Sequence, residues 1–325
     1  MRSLVTGGRV LLGIGWAVAV VMVAMVVTQL AGSTPNKFVA ALQALTPYLL
    51  GASLPLGAVA LVVHRWSLAA VCGAVAVVFV VLSWPLLHPP GQPEAAAATT
   101  PVRVFHANLL FRNERSDEVA AALEHLDADV LALAEYTPEH AAAMHDSAVL
   151  VERYPHRVEY PEPDAADGAA VWSRYPLTEL PAPRSESKTV LATVGAPEPF
   201  TLLVVHTNSP FISMDNWRRE LGHLTDPTVV DPRSDVPLLV VGDLNTTYWH
   251  PRYRELLDSG WRSAHQAHGR GFSTSWPNDI QPFPNYVRID HALVNDHLVA
   301  TDIDDIHVPG SDHVGFLVTV VAASR

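Results

Sequence analysis

The sequence predicts an α+β fold, a layered sandwich that follows three transmembrane helices. The chain has 325 residues and is 49% hydrophobic, and the apolar excess lies in the first 90 residues. Beyond residue 100, short apolar runs typical of strands outnumber helical patterns. These strands and helices do not alternate in the regular βαβ order of a doubly wound sheet, which favours a layered α+β arrangement.

Three uncharged stretches lie in the predicted membrane anchor, residues 1–88. They span residues 10–31, 39–63 and 67–87, with 22, 25 and 21 residues. Each is long enough to cross a hydrocarbon core of roughly 30 Å as a helix. The alternative for the first stretch is a cleaved signal peptide, but its apolar segment exceeds the usual ~7–15 residues and two more follow it.

The flanking charges predict the orientation of these helices. Arg2 and Arg9 precede the first stretch and Arg65 lies between the second and third, whereas Lys37 is alone in the other loop. The positive-inside rule places the N-terminus and Arg65 in the cytoplasm. Three crossings then put everything after Leu87 outside, so we expect a multi-pass protein of the cell membrane with an extracytoplasmic domain.

Residues 89–100 are rich in Pro and Ala and predict a linker, followed by one large domain over residues 101–325. Residues 1–100 hold four of the 21 basic and one of the 33 acidic residues, which leaves the domain with 17 basic and 32 acidic residues, a formal net charge of −15. This balance disfavours a nonspecific nuclease, which normally presents a basic face to phosphates. The single cysteine, Cys72, lies in the third apolar stretch, so the domain has no disulfide.

Apolar alternation predicts eight strands in the domain, and amphipathic spacing predicts three helices. We expect Ser116 to be the N-cap of the first helix. The predicted strands are Val102–Asn108, Val130–Ala134, Gly168–Ser173, Thr189–Val194, Phe200–His206, Leu238–Asp243, Ile289–Val294 and Val314–Val321. The predicted helices are Asp117–Leu126, Trp217–Leu224 and Arg252–Ser259.

Polar residues lie at the ends of these strands: most follow a strand, whereas Asp290 lies near the start of one and Asp312 and His313 lie just before another. Each one alone is typical of a turn. Acids, amides and imidazoles recurring at six strand ends indicate a shared site, and residues two apart on a strand face the same side. An oxygen-rich set of this kind suits Mg²⁺ or Mn²⁺ better than zinc. The set comprises Asn108, Glu135, His206, Asn208, Asp243, Asn245, Asp290, Asp312 and His313.

The segments HANLL, LAEYTP, WSRYPL, VVHTNSP, VVGDLNT, RIDHALV and GSDHVGF carry a resemblance to a known family. In order and spacing they resemble the endonuclease/exonuclease/phosphatase superfamily, which includes pancreatic-type deoxyribonuclease and neutral sphingomyelinases. The resemblance covers residues 104–316, nearly the whole domain. It implies a four-layer α/β/β/α sandwich whose site lies at one rim of the two sheets.

The resemblance also implies metal ligands. Glu135 is similar to the family's main metal-binding carboxylate, with Asn108 beside it. Asp312 resembles a further position that binds metal or supports a histidine. The implied cofactor is Mg²⁺ or Mn²⁺.

Five further residues resemble the family's catalytic set. Asp243 resembles the residue that orients or deprotonates the attacking water, and Asn245 the residue that holds a phosphate oxygen or the metal. His206 would stabilise the phosphoryl oxygens or assist the leaving group. His313 would contact the phosphoryl group, with Asp290 orienting its ring. Such donors suit a transition state that gathers charge on its nonbridging oxygens.

Three residues are candidates for substrate binding. Asn208 shares a strand face with His206. Tyr248 and Trp249 follow the GDLN segment, where they either shape a substrate pocket or cap the loop. Leu110 stands where abasic-site endonucleases carry an acid, and no tyrosine matches their catalytic one, which disfavours a specialised DNA-repair role.

We therefore expect a membrane-anchored, metal-dependent phosphoesterase acting outside the membrane. Its tether would suit a lipid-linked phosphate substrate, and its layout is similar to that of actinobacterial membrane proteins of the teicoplanin-resistance kind. The alternative is an extracellular nuclease, in which case the partner is DNA. A catalytically silent binding or sensor module is the third hypothesis. The sequence makes no prediction of oligomeric state.

Overall fold

The structure is a computed structural model that describes residues 2–163, 166–279 and 284–324. Contacts divide the chain into two compact units. The first, called here the helical unit, runs to His88 and includes the short segment Tyr248–Pro251. The second, the sandwich unit, comprises residues 89–247 and 252–324.

Two helices of the helical unit are long and apolar enough to cross a membrane. They are α1 (Arg2–Leu30) and α5 (Trp66–Leu87), and each contains a 22-residue stretch that meets this condition. Both correspond to predicted spans.

The second predicted span, residues 39–63, is broken in the structure. It forms α2 (Lys37–Ala44), α3 (Thr46–Gly51) and α4 (Ser53–Val62), with a bend of 59° after α2. Within the described residues there are therefore two helices that could span a membrane, or three if the bent pair is counted as one span.

Pro47 explains the break between α2 and α3. Proline has no N–H, so it cannot donate to the carbonyl of Gln43 four residues earlier. The hydroxyl of Thr46 donates to that carbonyl instead, at 2.7 Å. Uninterrupted hydrophobicity predicted a straight helix here, but the missing backbone donor interrupts it.

The sandwich unit contains two six-stranded sheets and the helices that cover them. Its elements are β1 (Val102–Asn108), α6 (Ser116–His125), β2 (Val130–Ala134), α7 (Pro138–Asp146), α8 (Ala148–Arg153), β3 (His156–Tyr160), β4 (Ala169–Ser173), β5 (Leu177–Leu180), β6 (Val190–Val194), β7 (Phe200–His206), α9 (Met214–His223), β8 (Leu238–Asp243), α10 (Pro251–Ser259), β9 (Arg262–Ser263), α11 (Ala264–Ala267), β10 (Asp290–Val294), β11 (Leu298–His307) and β12 (Val314–Ala322). One sheet has the order β11-β12-β1-β2-β4-β3 and the other β5-β6-β7-β8-β10-β9.

Alternating side chains build two cores on either side of the first sheet. In β1, Val104 faces the second sheet, where it joins residues such as Leu202 and Val241. The next residue, Phe105, faces α6–α8, where it joins residues such as Leu123. This alternation is the period of two expected of a strand buried on both faces.

The second sheet carries its own helical layer. Leu203 of β7 points away from the core between the sheets and lies against the end of α9, near His223 and Leu224. Two sheets with helices on both outer faces confirm the predicted α/β/β/α sandwich.

The structure corrects the predicted start of the first helix of this unit. Ser116 is the first residue of α6, and Arg115 occupies the N-cap position without a side-chain cap. Asp117 and Glu118 in the first turn stabilise this N-terminus instead, because their negative charges interact favourably with the helix dipole.

Gly242 is required where β7 and β8 meet. The two strands are parallel, and Gly242 lies opposite Val205. A Cβ atom at position 242 would lie 1.9 Å from the carbonyl oxygen of Val205. Only glycine permits this approach, which brings the last residues of the two strands together.

We predict that Gly242→Ala lowers the free energy of unfolding by about 3 kcal/mol, because the backbone of β7 must move to admit a methyl group. The matched control is Gly222→Ala in α9, where an added Cβ meets nothing within 4 Å. The control should be neutral or stabilising by up to about 1 kcal/mol. Thermal unfolding of the full chain in detergent measures both, and equal melting temperatures for the two variants would contradict the prediction.

Candidate active site

Strand pairing brings the predicted polar residues to one edge of the sandwich. In the first sheet, Asn108 pairs with Ala134, so Glu135 follows directly beside it. In the second sheet, Asp243 lies between two partners, with His206 on β7 and Asp290 on β10. Side chains of residues directly opposite one another share a face of the sheet.

Glu135 and Asn108 form the part of the site contributed by the first sheet. The Asn108 carboxamide nitrogen donates to Glu135 Oε1 at 2.8 Å and lies 3.2 Å from Asp243 Oδ2. The other Glu135 oxygen accepts from the backbone N–H of Phe111 at 2.8 Å. Glu135 itself has φ of 53°, a left-handed conformation that is uncommon for non-glycine residues and turns its side chain into the site.

Asn108 presents its nitrogen rather than its oxygen to these carboxylates. Its oxygen accepts from the backbone N–H of Leu110 at 3.0 Å, which fixes the orientation of the amide. Asn108 was predicted as a metal ligand, and this role stays a prediction; its amide nitrogen donates to both Glu135 and Asp243.

Asp243 is almost completely buried, with 2% of its surface exposed. Its Oδ1 accepts from the backbone N–H of Asn245 at 2.8 Å. Burial raises the pKa of Asp243 to about 6, and this effect outweighs the neighbouring imidazole of His313, which acts in the opposite direction. A carboxyl with this pKa is suited to exchanging a proton near neutral pH.

His206 faces the same carboxylates from β7. Its Nδ1 donates to the carbonyl of Ala166 at 2.9 Å, since a carbonyl can only accept. Its Nε2 lies 3.7 Å from Asp243 Oδ2 and 3.9 Å from Glu135 Oε1. The ring is thereby oriented with Nε2 towards the centre of the site.

His313 and Asp290 form a buried pair. His313 Nδ1 lies 2.9 Å from Asp290 Oδ2, and His313 Nε2 lies 3.7 Å from Asp243 Oδ2 and 3.8 Å from Asp312 Oδ1. Burial alone lowers the pKa of His313, but Asp290 and then Asp243 outweigh burial and raise it to about 10. The imidazole is therefore protonated at neutral pH.

Asp312 is held beside this pair. Its Oδ2 accepts from the indole N–H of Trp276 at 3.1 Å, and its backbone carbonyl accepts from the N–H of Asn278 at 2.6 Å. The structure thus brings Asp312, His313 and Asp290 together. In the same region Asp243, Asp290 and His313 each place one ligand atom within 4.8 Å of the others, a spacing that could hold a metal ion.

The Endonuclease/Exonuclease/phosphatase family profile matches residues 102–313. This chain belongs to that family. No curated protein matches the chain. Solved structures of low sequence identity share its fold.

Several solved structures are similar to the sandwich. An endonuclease/exonuclease/phosphatase from Beutenbergia cavernae is 16% identical, with a TM-score of 0.52 over 69% of this chain and 72% of that one. A humanized D. rerio TDP2 is 17% identical, with a TM-score of 0.54 over 68% of this chain and 98% of that one. The human Nocturnin catalytic domain is 19% identical, with a TM-score of 0.51 over 69% and 95%. At these identities the likeness shows the fold alone.

His106 is a residue of this endonuclease/exonuclease/phosphatase site that the sequence reasoning missed. It is fully buried, its Nδ1 donates to Ala132 O at 2.9 Å, and its Nε2 lies 3.9 Å from Asp290 Oδ1. Burial lowers its pKa to about 4, so the ring is neutral. The signal was present in the sequence, because His106 lies two residues before Asn108 on the same strand face.

Asn245 and Asn208 lie beside the cluster, and each is tied to backbone. Asn245 has φ of 45°, and its Nδ2 donates to the carbonyl of Thr207 at 2.8 Å. The backbone N–H of Asn208 donates to Glu220 Oε2 at 2.6 Å, while the side-chain oxygen of Asn208 accepts no hydrogen bond from the residues that the structure describes.

Tyr248 and Trp249 belong to the helical unit. Both are buried in the helical unit, where the Tyr248 hydroxyl donates to Leu82 O at 2.9 Å and the Trp249 ring stacks on Phe79 at 6.1 Å. The Trp249 carbonyl accepts from Gln29 Nε2 at 2.9 Å. Their apolar rings pack within this unit, and their role in substrate binding stays a prediction.

We predict that Asp290→Asn removes a pH-dependent part of the stability. The pKa of folded His313, about 10, lies above its ordinary value of 6.5. The stability from its proton is therefore complete below about pH 6.5 and is lost as the pH rises towards 10. Without the Asp290 carboxylate this contribution disappears, so the melting temperature of the wild type should approach that of the variant between pH 7 and pH 10.

The control is Asp279→Asn, which changes the same type of pair at the surface, where Asp279 lies 3.8 Å from the exposed His307. The difference in melting temperature between Asp279→Asn and the wild type should stay constant from pH 7 to pH 10. A constant difference for Asp290→Asn as well would contradict the charged state assigned to His313.

Proposed function

We propose that this chain is a membrane-anchored, Mg²⁺- or Mn²⁺-dependent phosphoesterase. It hydrolyses a phosphate ester or pyrophosphate bond of a lipid-linked substrate outside the cytoplasmic membrane. The observation that carries the proposal is the convergence of four side chains at one edge of the sandwich. His206 Nε2 lies 3.7 Å from Asp243 and 3.9 Å from Glu135, and His313 Nε2 lies 3.7 Å from Asp243.

The donor set fits a hard divalent cation. Glu135, Asp243, Asp290 and Asp312 are carboxylates, and their ion pairs within the described parts of the chain involve imidazoles and no lysine or arginine. Each oxygen of Glu135 accepts one N–H and retains a further lone pair. Buried carboxylates normally need such compensation, and oxygen ligands favour Mg²⁺ or Mn²⁺.

We propose Glu135 as the principal ligand, with Asp312 as a second carboxylate and Asn108 as the donor that positions Glu135. His313 belongs to the set as a cation rather than as a ligand, because Asp290 holds its proton. When bound, the metal would supply Lewis-acid stabilisation of phosphoryl charge.

The chain's own residues divide the remaining chemistry. Asp243, with a pKa of about 6, is mostly ionised above that pH and can accept a proton from the attacking water. His206 and the protonated His313 direct Nε2 towards the same space, where they stabilise negative charge on the phosphoryl oxygens. Asn245 and Asn208 complete the set as amides beside the phosphoryl group.

The lipid-linked substrate is inferred from the helices and the charge. Two apolar helices long enough to span a membrane precede the sandwich, and as an anchor they would keep it at a membrane surface. The strongly acidic domain opposes binding of long nucleic acids, which requires cationic contacts to successive phosphates. A nuclease is the second candidate, because a D. rerio TDP2 of this fold has been solved with a single strand DNA product.

We predict that Asp243→Asn lowers kcat by about 10³-fold, because the amide cannot accept the proton. Full-length protein in detergent would be assayed with Mg²⁺ on phosphomonoesters, lipid pyrophosphates, sphingomyelin and DNA, with and without EDTA. Asp235→Asn, which changes a fully exposed carboxylate, is the control and should match the wild type.

We expect hydrolysis of a lipid-linked substrate that EDTA abolishes. Turnover that survives EDTA, or that survives in Asp243→Asn, would exclude the mechanism. DNA as the preferred substrate would establish the nuclease instead.

We predict that the sandwich unit lies outside the cytoplasmic membrane. In a Cys72→Ser background, a cysteine introduced by Asp235→Cys should react with a membrane-impermeant maleimide on intact cells. One introduced by Arg65→Cys, between the predicted second and third crossings, should react only after the cells are opened. The reverse labelling pattern would place the unit in the cytoplasm.

A further inference from the structure

Two buried side chains of α9 contact the two loops that carry the second sheet's site residues. The indole N–H of Trp217 donates to the carbonyl of Asn245 at 3.1 Å. The carboxylate of Glu220, one turn later, accepts from the N–H of Asn208 at 2.6 Å. Residues three apart on a helix lie on the same face, so one rigid element contacts both loops.

Glu220 is a buried carboxylate without a catalytic role of its own. It is 3% exposed, and its Oε1 also accepts from the backbone N–H of Glu186 at 3.0 Å. Burying a charge costs free energy unless hydrogen bonds compensate it. A carboxylate can accept on both oxygens, whereas glutamine offers one acceptor and would turn an NH₂ group towards the second N–H. The two backbone donors therefore account for an acid at this position.

Trp217 controls the peptide that follows Asn245. Asn245 adopts a left-handed conformation, and its N–H is already bonded to Asp243 Oδ1. The indole of Trp217 satisfies the carbonyl on the other side of the same residue. Rotation of this loop would therefore move the N–H that orients the carboxylate of Asp243.

We propose that Trp217 and Glu220 are positioning residues for the reaction, which rests on the proposed phosphoesterase function. Trp217 fixes Asn245 and through it the orientation of Asp243. Glu220 fixes Asn208, whose carboxamide lies two residues from His206. Together Trp217 and Glu220 fix the position of the two loops relative to each other. The direct hydrogen bond from Asn245 to the carbonyl of Thr207 acts in the same way.

The two residues should affect different kinetic constants. Trp217 acts through Asp243, which takes part in the chemical step, so its loss lowers kcat. Glu220 acts through Asn208, which is assigned to substrate binding, so its loss raises KM. A residue that merely stabilises the fold would show neither pattern at temperatures well below unfolding.

The test compares Trp217→Phe with Trp261→Phe in the full chain in detergent. Trp261 is a matched control, because it is also buried and its indole N–H donates at 2.7 Å to the carbonyl of Leu224, at the end of the same helix. Trp217→Phe loses the bond from α9 to Asn245, and Trp261→Phe loses the bond to Leu224. We expect similarly lowered melting temperatures for both variants. We expect only Trp217→Phe to lower kcat, by about tenfold, with KM within twofold of the wild type.

Glu220→Gln completes the comparison. We expect a KM raised by about tenfold with kcat within threefold, and faster backbone hydrogen exchange in residues 207–209. Equal kcat for the two tryptophan variants, or unchanged KM and exchange in Glu220→Gln, would overturn the proposal. A wild type inactive on every substrate would instead refute the phosphoesterase function, while the exchange measurement would still report on the contact itself.

Discussion

The burial of acidic side chains where two sheets meet is the constraint on which this structure depends. Asp243 and Asp290 are almost completely enclosed, and Glu135 is nearly so. Each carboxylate needs compensation, which the chain supplies from amide and backbone N–H groups, from imidazoles and, in the proposed enzyme, from a divalent ion. The parallel pairing of β7 with β8, which depends on Gly242, sets the distance between the compensating groups.

The hydrophobic pattern predicted the interior strands of both sheets but not their edge strands. The eight predicted strands correspond to β1, β2, β4, β6, β7, β8, β10 and β12, which are the four interior strands of each sheet. The four unpredicted strands, β3, β5, β9 and β11, are the edges. β11 shows the reason: its Asp302, Asp304 and Asp305 leave no apolar alternation, and charge on an edge also discourages pairing with other chains.

The sequence likewise predicted only part of the site. Residue type and position at a strand end predicted Glu135, Asp243 and His313 as site residues, and the structure brings these side chains together. They could not reveal that the Asn108 amide turns its nitrogen to the carboxylates, since Leu110, two residues away, occupies its oxygen. The spacing of His106 from Asn108 could have placed it on the site's strand face, but it could not reveal that the buried ring is neutral. Orientation and pKa arise from tertiary contacts, which no local pattern encodes.

The segment Tyr248–Pro251 packs against the apolar helices within the helical unit. Only Thr246 and Thr247 separate it from Asn245, yet its own partners are groups such as Leu82 O, Gln29 Nε2 and the ring of Phe79. A shortened protein beginning after residue 88 would lose every one of these partners. It would expose two large aromatic rings a few residues from the GDLN turn. The apolar helices therefore supply the packing partners of this segment, and solubility gained by removing them would come at the cost of exposing it.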